Sequence, residues 1–284
     1  MAKSLLSFGH GYSAQALARR LLPLGWTIYG TTRSAEKAEK LREEGITPVV
    51  FPGDDVAPIL SKVSHVLTSV SPTEDGDPVL LELGAEIAAS ADRFAWVGYL
   101  STTGVYGDHN GGWVDEATPL TPSTRRGAWR KDAEDAWRSI DGLPLHTFRL
   151  AGIYGPGRGP FAKVRNGTAR RIIKEGQVFS RIHVEDIAQT LHASIDHPNP
   201  GAAYNLCDDD PAPPEDVIEH AAELLGLPVP PAIDFETADM TPMARSFYAE
   251  SKRVRNDRIK DELGVQLIYP DYRVGLQALL REEG

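Results

Sequence analysis

The chain has 284 residues, 41% of them hydrophobic and 25% charged, a balance that excludes disordered, collagen-like and coiled-coil proteins. Its 30 basic and 40 acidic residues give a formal charge of −10, without a concentrated basic tract, so neither nucleic acid nor a membrane is expected as partner. The single cysteine, Cys207, excludes an intrachain disulfide framework, and no apolar run approaches the roughly 20 residues of a membrane span.

"SLLSF" (Ser4–Phe8) reads as a buried strand, entered without a signal-peptide pattern, so a cytoplasmic location is expected. Gly9 and Gly11 follow at once. Leu17, Ala18, Leu21 and Leu22 then lie on one helical face, and Pro23 marks its end. "WTIYG" (26–30) is the second strand, and a charged helix over 34–44 is closed by Gly45. "TPVVF", "HVLTSV" and "FAWVGYL" supply three more strands, with a helix over 78–90 between the last two. A helix over 123–139 leads into the strand "LHTFRL". Alternation of this kind implies a parallel sheet with helices on both faces.

After Arg149 the rhythm breaks. Residues 151–161, with four glycines and two prolines, read as loop. A helix over 184–195, a strand at "AAYNL" and a helix over 213–225 follow, the last stopped by Gly226. The expected α/β fold is a Rossmann-type doubly wound parallel sheet of six or seven strands. Residues 1–150 form it, with strand returns from 176–206, and 151–284 form a smaller C-terminal α/β substrate part.

Gly9, Gly11 and Ala14 spell G-x-G-x-x-A between a strand and a helix. The first glycine permits a tight turn, the second lets backbone approach a pyrophosphate, and the small third residue lets helix and strand pack closely. The helix N-terminus then offers unpaired N–H groups to phosphate. His10, Tyr12 and Ser13 belong to the same candidate cofactor site. An NAD site places a carboxylate about 20 residues on. Here the second strand ends in Thr31, Thr32, Arg33 and Ser34, and Arg33 can fork onto a 2′-phosphate, pointing to NADP rather than NAD. A solvated arginine at a helix start is the plain alternative. Asp54 after the third strand, with Ser69 and Val70 of the "SVSP" turn, completes the cofactor set.

Four stretches carry a family resemblance. "YLSTTGVYGD" (99–108) resembles the strand-five motif of the extended short-chain dehydrogenases/reductases, the NAD(P)-dependent epimerase/dehydratase family. "FRLAGIYGPGR" (148–158) is similar to its strand-six motif, and "RIHVEDIAQTLHASI" (181–195) to a later helix. "YNLCDDDPAPPEDVIEHAAELLG" and "SKRVRNDRIKDELG" resemble its C-terminal segment. The shorter glycine spacing is that of atypical members. The resemblance implies an NAD(P)-binding domain, a small domain closing over a small-molecule substrate, and a homodimer joined through the helices after strands four and five.

In that family a Ser/Thr orients the substrate, a Tyr exchanges a proton with it, and a Lys four residues later holds the nicotinamide ribose. The resemblance places Thr102 at the hydroxyl position, Arg126 at the tyrosine and Arg130 at the lysine. Arginine stays protonated and has no acceptor, so it cannot cycle as acid and base. Arg126 is left to clamp an anionic substrate and Arg130 to contact the cofactor. Tyr248 and Lys252 have the required spacing of four but lie far along the chain. Ser251 is expected to cap the charged final helix, and Tyr106 to pack. His183, Glu185 and Asp186 are read as a helix start answering its dipole rather than as metal ligands. Arg165, Arg170, Arg171 and Arg181 lie where family members contact substrate anions, although such a run is equally a solvated face. The function expected is an NADP-dependent oxidoreductase or epimerase acting on a small anionic or sugar-like substrate. A catalytically silent dinucleotide-binding regulator is the alternative.

Overall fold

A computed structural model describes residues 3–283. The first half runs β1 (Ser4–Phe8), α1 (Tyr12–Leu21), β2 (Thr27–Thr32), α2 (Ala35–Glu43), β3 (Thr47–Val50), α3 (Ala57–Leu60), β4 (His65–Thr68), α4 (Pro78–Ala89), β5 (Trp96–Thr102), β6 (Trp113–Val114), α5 (Arg125–Arg138) and β7 (Leu145–Leu150). The second half opens with β8 (Gly152–Tyr154), α6 (Phe161–Arg165), β9 (Arg171–Ile173), β10 (Arg181–His183), α7 (Val184–Asp196) and β11 (Ala203–Leu206). It closes with α8 (Pro214–Leu224), β12 (Ala232–Asp234), α9 (Pro242–Phe247), β13 (Arg253–Val254), α10 (Asp257–Asp261) and α11 (Tyr272–Glu283).

Seven strands form one sheet in the order β11-β7-β5-β4-β1-β2-β3, every pair parallel. This is an α/β Rossmann-like fold. Strand β1 lies inside the sheet between β4 and β2 and is buried on both faces, its Ser4 and Ser7 included. Successive side chains point to opposite faces. Leu5 accordingly packs with Leu17, Leu21, Ile187 and Leu191 of α1 and α7, while Leu6 and Phe8 pack with Leu83, Ile87 and Trp137 of α4 and α5. A separate apolar cluster joins Tyr154, Phe161, Val217, Tyr272 and Leu276 around α8 and α11.

Residues 151–161 are not the continuous loop expected. β8 forms there and pairs in parallel with β10, because Ile153 extends beside Ile182 before the Gly–Pro punctuation begins. The predicted second strand also starts one residue late and runs to Thr32, with Trp26 left as a buried core residue ahead of it.

Asp77 caps α4, its Oδ1 accepting from the N–H groups of Val79 (2.8 Å) and Leu80 (3.2 Å). Its Oδ2 accepts from Trp137 Nε1 at 3.1 Å, tying α4 to α5. Asp77→Ala removes a cap and strands a buried indole N–H, so a loss of about 2–3 kcal/mol is expected. A lower urea midpoint with unchanged slope is the check.

Candidate functional site

A cleft of about 1420 Å³ opens over the carboxyl ends of β1, β4, β5 and β7, where ligands bind in open α/β sheets. Its far wall comes from residues 178–181, 246–254 and α11.

At one end lies the glycine turn. Gly9 has φ +70°, and a Cβ there would sit 3.1 Å from Ser69 Oγ and 3.2 Å from Val70 Cγ2, so both conformation and space require glycine. Ser69 Oγ donates to Gly9 O at 2.5 Å. Thr31 ties the turn to β2, accepting from Gly9 N on its hydroxyl (2.8 Å) and from His10 N on its carbonyl (3.0 Å). Gly11 is the N-cap of α1, which has no side-chain cap and no acidic residue in its first turn. A bare, uncapped helix start facing a cleft is chemically suited to a phosphate.

Gly9, Gly11, Tyr12, Ser13 and Ser69 line the cleft. His10, Arg33, Asp54 and Val70 do not. The ring of His10 is buried against Gly30 with neither nitrogen bonded, and burial holds its pKa down at about 4. Val70 packs behind Gly9. Asp54 closes the turn after β3, its Oδ2 accepting from Val50 N at 2.7 Å. Arg33 is exposed just past β2 and has no partner among the described residues.

Thr102, Arg126 and Arg130 all line the cleft. A Cβ on Gly127 would lie 2.9 Å from Gly104 O, so α5 presses its first turn onto the 103–106 turn that follows Thr102. Thr102 Oγ1 accepts from Gly104 N at 3.2 Å, leaving its own proton to donate. Arg126 is exposed and unpaired among the described residues. Arg130 is occupied by the protein itself, donating to Leu100 O (2.9 Å), Tyr99 Oη (3.2 Å), Val70 O (3.3 Å) and Ser71 Oγ (3.4 Å).

Behind this group lies a buried polar network absent from the sequence expectations. Glu134 and Arg149 form a bidentate pair (2.9 and 3.2 Å), and Ser101 Oγ donates to the same carboxylate. Arg149 also donates to Tyr106 Oη at 2.9 Å, and that hydroxyl donates to Asn205 Oδ1 at 2.8 Å. Burial raises the Tyr106 pKa to about 12. Burial alone would lower the Arg149 pKa, but its bonds to Glu134 outweigh this and raise it. Signals were present in the sequence, an arginine inside an apolar strand and a glutamate on a helix face otherwise facing the core.

The far wall supplies a second group. Lys252 Nζ donates to Gly107 O (2.7 Å) and Glu250 Oε2 (2.6 Å), and Ser123 Oγ donates to Glu250 Oε1 (2.5 Å). Tyr248 stands apart from Lys252, packed between Phe179 and Phe235. Ser251 is not a helix cap. Its Oγ donates to Gly176 O (2.8 Å) and accepts from Val178 N (3.2 Å), and its N–H donates to Asp108 Oδ1 (2.8 Å). The N-cap of α10 is instead Asn256, five residues past Ser251.

Of the four arginines expected near a substrate, only Arg181 lines the cleft, with NH1 donating to Phe179 O and Ala212 O. Arg165 pairs with Glu283, Arg170 donates to Asp239 O, and Arg171 pairs with Glu219. His183 caps α7 through Nδ1, Glu185 pairs with Arg19, and Asp186 accepts from the backbone of Ile268 and Tyr269. Among the described residues no cluster of metal-ligating side chains occurs, and no helix is long and apolar enough to cross a membrane.

The cleft is strongly cationic for so acidic a chain. Arg125, Arg126, Arg130, Arg158, Arg181 and Lys252 line it, against the single carboxylate of Glu250.

No family model matches the chain. It is 62% identical to a conserved protein of unknown function from Silicibacter pomeroyi, with 99% of both chains covered and a TM-score of 0.95. Protein YeeZ of Escherichia coli K12 is 29% identical over 283 residues, covering 95% of this chain and 97% of YeeZ. A structure from Methylobacillus flagellatus, assigned as an NAD-dependent epimerase/dehydratase, is 27% identical, with 99% and 98% covered and a TM-score of 0.75.

Proposed function

We propose that this chain, which belongs to the epimerase/dehydratase family of extended short-chain dehydrogenases/reductases, is an NADP(H)-dependent oxidoreductase or epimerase acting on a small anionic substrate. The observation that carries the proposal is the continuity of the cleft, which is lined both by an uncapped helix start at a glycine turn and by Thr102 and the unpaired Arg126. The residues fit a nicotinamide dinucleotide. Gly9, Gly11, Tyr12 and Ser13 would hold its diphosphate, Ser69 supports the turn, and Arg33 at the end of β2 would meet a 2′-phosphate. When bound, the coenzyme supplies or accepts hydride.

The chain's own residues do the rest. The Thr102 hydroxyl, accepting from Gly104 N, turns its proton toward a substrate oxygen and orients it. Arg126 holds the negative charge with a forked donor that never titrates. Arg130 fixes the ends of β4 and β5 beneath the reacting centre. NADPH titrated by calorimetry is expected to bind in preference to NADH, and Arg33→Ala to weaken NADPH about tenfold while sparing NADH. Equal affinity for the two coenzymes in the parent overturns the assignment to NADP.

A second reading has its own support. Arg130 is committed to protein carbonyls, and Arg126 has no acceptor with which to return a proton. A dinucleotide-binding regulator without catalysis would look the same. The enzyme reading expects NADPH oxidation with members of a carbonyl panel, abolished by Thr102→Val; tight NADPH binding without oxidation across the panel favours the regulator.

A further inference from the structure

The inference here rests on the cleft being the substrate site, and it concerns the chemical class of the substrate. A sugar nucleotide presents hydroxyls that each donate and accept, and ionised carboxylates are the strongest side-chain acceptors for them. Among the described residues lining this cleft there is no Asp, Asn, Gln or His. Its one carboxylate, Glu250, is already engaged by Ser123 and Lys252. Beside Arg181, Glu250 and Lys252, the far wall carries an apolar and aromatic stretch, Phe179, Val217, Leu276 and Phe247. Phe247 is 62% exposed, the most exposed aromatic ring in the chain's described residues, and it stands at the cleft wall. An aromatic ring left open beside a concave site gains most from a flat apolar ligand laid against it.

Charge supplies the second half. The hydrogen bond from Ser123 to Glu250 joins the start of α5 to the segment that carries Phe247. Arg126 and Phe247 each lie three residues from an end of that bond, and both line the cleft, a forked cation and an apolar plate. We propose that the substrate is a flat apolar acid, an aryl or arylalkenyl carboxylate, whose ring lies against Phe247 and whose carboxylate is taken by Arg126, and that sugar nucleotides are not bound productively. A guanidinium matches a carboxylate bidentately, and apolar walls strengthen the pair by excluding water.

The test uses trans-cinnamate and UDP-glucose as probes, each titrated calorimetrically into the protein alone and into protein saturated with NADPH. The expected result is saturable 1:1 binding of cinnamate, at least about tenfold tighter than UDP-glucose. Arg126→Gln weakens cinnamate about tenfold and Phe247→Ala about fivefold. Both residues are exposed, so unchanged melting temperatures show that the variants fold. UDP-glucose binding more tightly than cinnamate overturns the proposal. So does cinnamate binding that neither variant changes, or no cinnamate binding in either form. The initial NADPH titration separates the outcomes: bound NADPH without cinnamate refutes only the substrate class, whereas absent NADPH binding refutes the coenzyme reading.

Discussion

Replacing Arg149 by Met is expected to destabilise the protein by about 3–5 kcal/mol, because it leaves a buried carboxylate without its counter-charge. Glu134 is 0% exposed and Arg149 4%, so water cannot substitute for the lost partner. What remains near Glu134 is the Ser101 hydroxyl and a long contact of 3.7 Å to Arg138. Tyr106 keeps Asn205 and is the lesser casualty. The double variant Arg149→Met with Glu134→Leu should recover most of the loss, since apolar residues can replace a buried ion pair at little net cost. Urea denaturation decides it. A single variant within about 1 kcal/mol of the parent would mean that the pair contributes no more than a surface one. Ser101 immediately precedes Thr102, so loosening this network is also expected to blur the position of the hydroxyl in the cleft.

A pH-dependent loss of stability is expected to trace to Asp208. It is 1% exposed, no side chain hydrogen-bonds to its carboxylate, and burial pushes its pKa up to about 8 against the partial help of the Arg181 charge and of the backbone N–H groups of Asp210 and Arg181. In the unfolded chain the same group titrates near its ordinary value of about 3.9. Between these values the folded state holds a proton that the unfolded state has released. Its stabilising contribution is therefore complete below pH ~4 and is lost as pH rises through about 8, at up to roughly 1.4 kcal/mol per pH unit. Asp208→Asn keeps the shape of the protonated acid and removes the titration. The variant should match the parent near pH 4 and exceed it by several kcal/mol, as an order of magnitude, at pH 8. Four buried imidazoles, His10, His65, His146 and His183, are held by burial at about 4 and act in the opposite sense below pH ~6.5. The difference between variant and parent, not either curve alone, is the readout. Parallel curves from pH 5 to pH 8 would refute the assignment.

The sheet was legible because its strands are short, mostly apolar runs set between helical periods, as "TPVVF" and "FAWVGYL" are. The glycine turn was legible because backbone conformation demands glycine at position 9 whatever surrounds it. Side-chain direction was not. His10 lies one residue from Gly9 yet turns under β2 rather than into the cleft, an outcome set by the space above Gly30. Arg130 holds the place of a catalytic lysine in the family pattern, but its longer forked donor reaches the carbonyls at the ends of β4 and β5. The far wall was the least legible part. Glu250, Ser251 and Lys252 bond to residues 127–145 positions earlier in the chain, and no local pattern encodes such partners.

The sheet also has a consequence for how the chain must be assembled. Its outermost strand on one side, β11, is drawn from far down the chain and lies in parallel beside β7, a strand buried along its whole length. Until residues 203–206 have been made and docked, β7 offers a row of open amide and carbonyl groups flanked by apolar side chains, the kind of edge on which nascent chains stick to one another. Closing that edge late makes folding slow in the manner of folds dominated by distant pairings. The first 150 residues hold the glycine turn, yet they cannot be excised as a self-sufficient binding module without leaving that edge bare.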